Sequence, residues 1–267
     1  MIRRYASWFT ALRGLRWFGD AVSGRCRPGA PVCQAGRMRS TTDSALWSRA
    51  DDGTSPLVVL LHGQHGTEED LAPLLPLLPA GVVAVSLRAP FAEGDGFSWF
   101  ETADGVREAA AEHVAPAADA LRAWIDEVAP TAEPDADDLP DTTGPSGRAR
   151  RPVAVVGYSQ GGAVAIHVLR RAPRAVDTAV ILAGFLGVGD EPGDDELLDV
   201  RPPVYWMRGL RDESITLMDV QRVAYFLPPH STLTTAEHPL LGHELSEVFL
   251  AAAARYLGAW AAGFSRD

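Results

Sequence analysis

From residue 57 onward, apolar and polar positions divide this chain into two kinds of segment. Short runs with few polar interruptions, at residues 57–61, 82–87, 153–156, 178–182 and 204–207, have the length and composition of buried strands. Between them lie longer stretches with helical spacing. Residues 67–78 predict a helix whose start, Thr67 with Asp70, resembles a capping box. Residues 103–128 predict a long amphipathic helix with Pro116 as a point of interruption, and residues 214–227 and 243–262 predict two more. A short β-prone segment, residues 231–236, separates those last two. Strands regularly separated by helices imply right-handed crossovers and a parallel, doubly wound sheet.

Two stretches depart from this pattern. Residues 1–38 carry a weak stripe of Ile2, Tyr5, Trp8, Phe9, Leu12 and Leu15, with Arg3, Arg4, Arg13 and Arg16 around it and a Gly/Pro/Arg-rich stretch behind it. Three readings compete. One is a surface-binding amphipathic segment. A second is a targeting peptide, although no long apolar core precedes a small-residue cleavage site. The third, which is preferred because these residues show no folding logic, is upstream sequence with Met38 as the natural start. On that reading residues 1–38 are a disordered extension and residues 39–267 a single domain. Residues 130–151 are rich in Pro, Asp and Gly and predict a disordered insertion within it.

Composition narrows the class. A chain of 267 residues suffices for one α/β domain with a substantial core. The net charge of −11 conceals an asymmetry: residues 1–39 hold eight Arg and one acid, the remainder sixteen Arg and thirty-four acids. A body this acidic repels phosphates, so nucleic acid is not an expected partner, and the acid excess reads as solubility. Lysine is absent, which fits the codon bias of a GC-rich genome. Both cysteines, Cys26 and Cys33, precede the domain, which therefore depends on neither a disulfide nor a thiolate metal site. No metal or organic cofactor is called for. No apolar run approaches the length of a bilayer span. The expectation is a cytoplasmic protein without stable membrane insertion, its oligomeric state open and a homodimer among the options.

The candidate chemistry centres on Gly157-Tyr158-Ser159-Gln160-Gly161, a G-x-S-x-G sequence between a strand and a helix. In that setting the serine sits on a sharp turn, exposed beside a helix N-terminus. A serine hydroxyl needs a base, and the base needs a third group to orient it. Among the downstream histidines, His167 falls within the following helix and His230 in a loop. His238 and His243 both lie between the last strand and the last helix, and His243, which opens that helix, is preferred. The candidate acid is Asp212, in the loop after the strand at 204–207; the adjacent Glu213 is the alternative, and capping of the next helix is a competing role for Asp212. One oxyanion donor is the backbone N–H of Gln160. The second is expected in His62-Gly63-Gln64-His65-Gly66, with the Gln64 N–H as the candidate.

These blocks, together with Thr67-Glu68-Glu69-Asp70-Leu71, Ser86-Leu87-Arg88-Ala89-Pro90, Trp99-Phe100 and Gly242-His243-Glu244, resemble the carboxylesterase/phospholipase group of α/β-hydrolases that includes acyl-protein thioesterases. The resemblance runs from about residue 57 to 260 and implies an α/β-hydrolase fold, a mostly parallel central sheet with helices on both faces. It implies Ser159, Asp212 and His243 as a catalytic triad, with Gln64 and Gln160 supplying oxyanion donors. It also implies a small acyl ester as substrate. Trp99 and Phe100, in the region where the family builds part of its cleft, and Phe185 and Leu186, at another strand end, are candidate substrate contacts suited to a short or medium acyl chain; core packing is the competing reading for the aromatics. The expected activity is a serine carboxylesterase, with an acyl thioesterase or lysophospholipase as alternatives. His65 stands where the family has the second glycine of His-Gly-x-Gly. A side chain there would alter the oxyanion hole or narrow the cleft, which motivates a third reading, a ligand- or partner-binding protein without turnover.

Overall fold

In the computed structural model, residues 45–101, 110–130 and 150–264 are described. The expected extension at 1–38 and most of the expected insertion therefore lie outside the described residues. Arg150 and Arg151 do not belong to that insertion. Arg151 is buried and donates from Nη2 to Asp51 Oδ2 at 2.9 Å, and Arg150 donates to the carbonyl of Arg174. Their partners are distant in sequence, so a local reading of a polar run misses them.

Seven strands form one sheet in the order β1-β3-β2-β6-β7-β8-β9. They are β1 (Ala45–Trp47), β2 (Leu57–Leu61), β3 (Val83–Leu87), β6 (Val153–Tyr158), β7 (Thr178–Leu182), β8 (Pro203–Gly209) and β9 (Thr232–His238). A separate antiparallel hairpin, β4 (Phe91–Glu93) and β5 (Gly96–Ser98), follows β3. The pairings from β3 through β9 are all parallel. Every residue of β2, β3 and β7 is buried, as a parallel sheet covered on both faces requires. Alternate residues of the central strands face opposite layers. Val58, Leu60, Val156 and Leu182 join a core with Phe249 and Leu257 of α5 (Glu247–Ala262). On the other side α2 (Gln160–Arg171) packs on β6 and β7, with α1 (Ala111–Val128) against it. The protein thus has the expected α/β-hydrolase architecture.

Three helices differ from expectation. Residues 67–71 form a turn and only Ala72–Leu77 is helical, as a 3₁₀ helix. Thr67 and Asp70 do bond each other, but Pro73 and Pro76 remove N–H donors that an α-helix would use. The helix after β8, α4 (Leu217–His230), starts at a Thr216–Asp219 capping box and not at Ser214. Ser246 caps α5, so the helix begins four residues beyond His243 and leaves that histidine on a loop. One further helix, α3 (Asp194–Val200), has no counterpart in the sequence reading.

The chain runs from β2 outward to β3 and then back past β2 to β6. The loops leaving β2 and β6 therefore diverge on either side of a switch point at the carboxyl end of the sheet, the usual place for a ligand in an open α/β fold.

Candidate active site

The turn between β6 and α2 is built by its backbone. Ser159 has φ 52° and ψ −114°, a conformation that L-residues avoid. Glycine on both sides makes it possible: a Cβ on Gly157 would overlap the carbonyl of Gly161, and a Cβ on Gly161 would overlap that of Leu61. The Ser159 N–H donates to the Leu182 carbonyl at 2.9 Å, which ties the turn to β7. The turn that carries the strained residue thus sits between the ends of β2 and β7.

Ser159 Oγ lies 2.8 Å from His243 Nε2, and His243 Nδ1 lies 2.8 Å from Asp212 Oδ2. A carboxylate only accepts, so Nδ1 carries the proton and Nε2 is left as the acceptor facing the hydroxyl. Asp212 Oδ1 accepts the N–H groups of Ser214 and Ile215, both at 2.9 Å. Orienting the histidine and closing a turn are therefore done by different oxygens of one carboxylate, and the helix cap belongs to Thr216 instead. Burial opposes ionisation of Asp212, but its bonds from His243, Ile215 and Ser214 outweigh this and hold its carboxyl below the usual range. Glu213 is exposed, and His238 ends β9, where its Nδ1 meets the Leu240 N–H at 3.4 Å. Neither alternative joins this chain of bonds.

Tyr158, within the motif but assigned no role by sequence reasoning, fixes the other side of the histidine. Its ring stacks on His243 at 5.3 Å and 28°, and a Cβ on Gly63 would lie 3.0 Å from it. Burial pushes its phenol well above its ordinary range, so the ring acts as a neutral platform.

Opposite the serine stands the loop after β2. A Cβ on Gly63 would lie 3.3 Å from Ser159 Cβ, which brings the backbone leading to Gln64 against the nucleophile candidate. The Gln160 N–H belongs to the first turn of α2, where backbone donors lack intrahelical partners. His62 is a structural tie. Its Nδ1 sits 2.7 Å from the Gly63 carbonyl and must donate, so Nε2 accepts the Ala89 N–H at 3.0 Å. Burial lowers its pKa and keeps it neutral.

Two residues expected to line the cleft do not. Phe100 is 0 % exposed, which leaves it no surface for a substrate, and its ring packs edge-on against Phe185 at 6.4 Å. Trp99 is also buried, and its Nε1 donates to the His62 carbonyl at 2.8 Å. The Gln160 side chain holds the same segment, accepting from the Trp99 N–H at 2.7 Å and donating to the Phe100 carbonyl at 2.9 Å. Core packing, the competing reading for these aromatics, prevails because both side chains are buried, while the Gln160 amide satisfies the Trp99 N–H and the Phe100 carbonyl and the His62 carbonyl accepts the indole N–H. Phe185 is half-buried, and Leu186 lines a surface cavity with Arg170, Tyr225 and Phe226, away from Ser159, Asp212 and His243. Among the described residues no group of three or more His, Cys, Asp or Glu is arranged to hold a metal ion.

The model of the alpha/beta hydrolase family matches residues 58–266. The chain belongs to the alpha/beta hydrolase family. No curated protein matches this hydrolase. Among solved structures, it is similar to a carboxylesterase from Mesorhizobium loti, at 19 % identity over 78 % of this chain and 89 % of the other, with a TM-score of 0.60. It is also similar to esterase PE8, at 22 % identity over 80 % and 97 % of the two chains (TM-score 0.59), and to SOBER1 of Arabidopsis thaliana, at 19 % over 79 % and 99 % (TM-score 0.58). At these identities the likeness establishes the hydrolase fold. Among the described residues no helix is long and apolar enough to cross a membrane.

Proposed function

We propose that this protein is a serine carboxylesterase that hydrolyses short- to medium-chain acyl esters through an acyl-enzyme. The observation that carries this reading is the bonded series Ser159 Oγ–His243 Nε2 and His243 Nδ1–Asp212 Oδ2, each 2.8 Å, ending on a serine held at positive φ. In the first step Ser159 Oγ attacks the ester carbonyl while His243 Nε2 takes its proton. The N–H groups of Gln160 and Gln64 stabilise the oxyanion. The bond to the alcohol breaks, and the alkoxide leaves with the proton from His243. Water then gives a proton to His243 and attacks the acyl carbon, and Ser159 departs with that proton. Asp212 fixes the tautomer and stabilises the imidazolium throughout.

Exposed Leu210 and Leu240 lie on the loops that carry Asp212 and His243, which favours an apolar acyl group. A carboxylesterase and an esterase among the structural relatives support the choice of an ester as substrate. A cytoplasmic location belongs to the same reading.

The test is labelling by a fluorophosphonate and turnover of p-nitrophenyl esters from acetate to octanoate, with matched thioesters and lysolipids alongside. Wild type should label and turn over, fastest on the shorter oxygen esters. Ser159→Ala should do neither, with a loss in kcat of about 10⁶-fold. Equal labelling of wild type and Ser159→Ala would defeat the assignment.

A further inference from the structure

Outside the triad, a polar cluster on the β4–β5 hairpin grips the loop that faces Ser159. Glu93 is its centre. Both carboxylate oxygens accept from Gln64 Nε2 at 3.3 Å, and Oε2 also accepts the Ser98 hydroxyl. Ser98 Oγ in turn lies 3.4 Å from the His65 N–H, and the Glu93 carbonyl lies 3.3 Å from His65 Nδ1. The backbone completes the clamp: the Phe97 N–H donates to the Gly66 carbonyl at 2.8 Å, and a Cβ on Gly96 would overlap the His65 carbonyl. One carboxylate thus ties Gln64 directly, and through Ser98 ties the next residue.

The loop needs such a tie. His65 adopts φ 57°, a left-handed conformation disfavoured for a residue with a Cβ, so this backbone will not hold its shape by intrinsic preference. Hydrogen bonds from Ser98 and Gln64 keep the Glu93 carboxyl below its usual range, the first being the larger and burial opposing both. The side chain is about one-third exposed, so the cluster is a surface clamp whose removal need not unfold the domain.

We infer that Glu93 is a positioning residue for the oxyanion loop: through Gln64 and Ser98 it sets the direction of the Gln64 N–H towards the developing oxyanion. The inference rests on the esterase reading for its kinetic consequence, but not for its structural one. A loosened donor weakens transition-state stabilisation more than substrate binding, so the signature is a loss in kcat at nearly constant KM.

The experiment compares wild type with Glu93→Ala, Glu93→Gln and Ser98→Ala, using p-nitrophenyl acetate kinetics and amide hydrogen exchange. Glu93→Ala should lower kcat about tenfold, less than outright loss of a donor, with KM within about twofold. Glu93→Gln retains an acceptor and should recover to within about threefold of wild type, and Ser98→Ala should fall between the two. Exchange at residues 64–66 should quicken in Glu93→Ala while exchange in β6 and α2 stays unchanged. An active wild type matched in kcat by Glu93→Ala overturns the inference, as does unaltered exchange at residues 64–66. An inert wild type overturns the esterase reading, and the exchange comparison then still decides whether Glu93 holds the loop.

Discussion

The two walls that meet at Ser159 are built by opposite means. The elbow wall is contiguous: strand, Gly157, Ser159, Gly161 and helix follow one another within a few residues, and steric room for the backbone creates the geometry. The facing wall is assembled from four separated segments, the loop at 62–66, Ala89, the segment at 93–100 and the Gln160 side chain. Its shape depends on side-chain hydrogen bonds to main-chain groups. Gln160 belongs to both walls, with its backbone in the elbow helix and its amide in the opposite wall. The contrast separates chemistry from support. Altering a side chain of the Ser159–His243–Asp212 series should cost activity and little stability, whereas removing a buried tie of the facing wall should cost stability first; the partly exposed Glu93 clamp is expected to act on turnover instead.

Asp212→Asn probes the first half of that contrast and, after loss of the nucleophile itself, carries the largest expected effect. An asparagine amide in place of the carboxylate favours the wrong tautomer of His243 while its remaining oxygen can still serve the turn. Turnover should fall about 10⁴-fold, with the melting temperature lowered only modestly. Steady-state kinetics and a thermal scan on one preparation check this. A loss below tenfold would mean that the bonded series does not activate Ser159.

Gln160→Ala probes the second half. It leaves the Trp99 N–H and the Phe100 carbonyl buried without partners, and each such group costs about 1–3 kcal/mol. The expected loss is about 2–5 kcal/mol in urea-induced unfolding, although the substituted atoms never touch the reacting serine. An unchanged denaturation midpoint would mean that the segment at 99–100 is held by packing alone.

The same contrast explains what could be read from the sequence. The elbow was legible because its signal is local: a strand period, two glycines and a helix period in one stretch. Asp212 and His243 were legible because each follows a strand and parallel sheets collect functional groups at strand ends. His243 lies on a loop and does not open the last helix, since that helix starts at its Ser246 cap and not after Gly242. The facing wall was not legible in the same way. Aromatic residues after β3 look alike whether they line a cleft or fill a core, and only the partners of Trp99 Nε1 and of the Phe100 carbonyl decide between the two. Tyr158 and Glu93 escaped for a related reason, because their roles depend on residues 85 and 29 positions away, His243 and Gln64.

His65→Gly is the gentlest probe, and it bears on the one departure from the family pattern within the loop. The histidine side chain is 59 % exposed, and its nearest carboxylate contact, to Glu93 Oε1, is 3.9 Å. The ring is therefore largely in solvent and forms no strong ion pair. What the position demands is a residue that tolerates φ 57°, and glycine does so without strain. Glycine also adds freedom to the unfolded chain, which offsets part of the gain. The net expectation is a stabilisation of about 0.5 kcal/mol, or roughly 1–2 °C in melting temperature, with kcat within about threefold of wild type. The change removes the His65 Nδ1 contact to the Glu93 carbonyl, but the backbone N–H that meets Ser98 and the Gln64–Glu93 bonds are the same in both proteins, so most of the clamp on the loop survives. A kcat loss above tenfold would instead assign the imidazole a part in turnover, and the facing wall would then contribute a side chain as well as a backbone N–H to the chemistry.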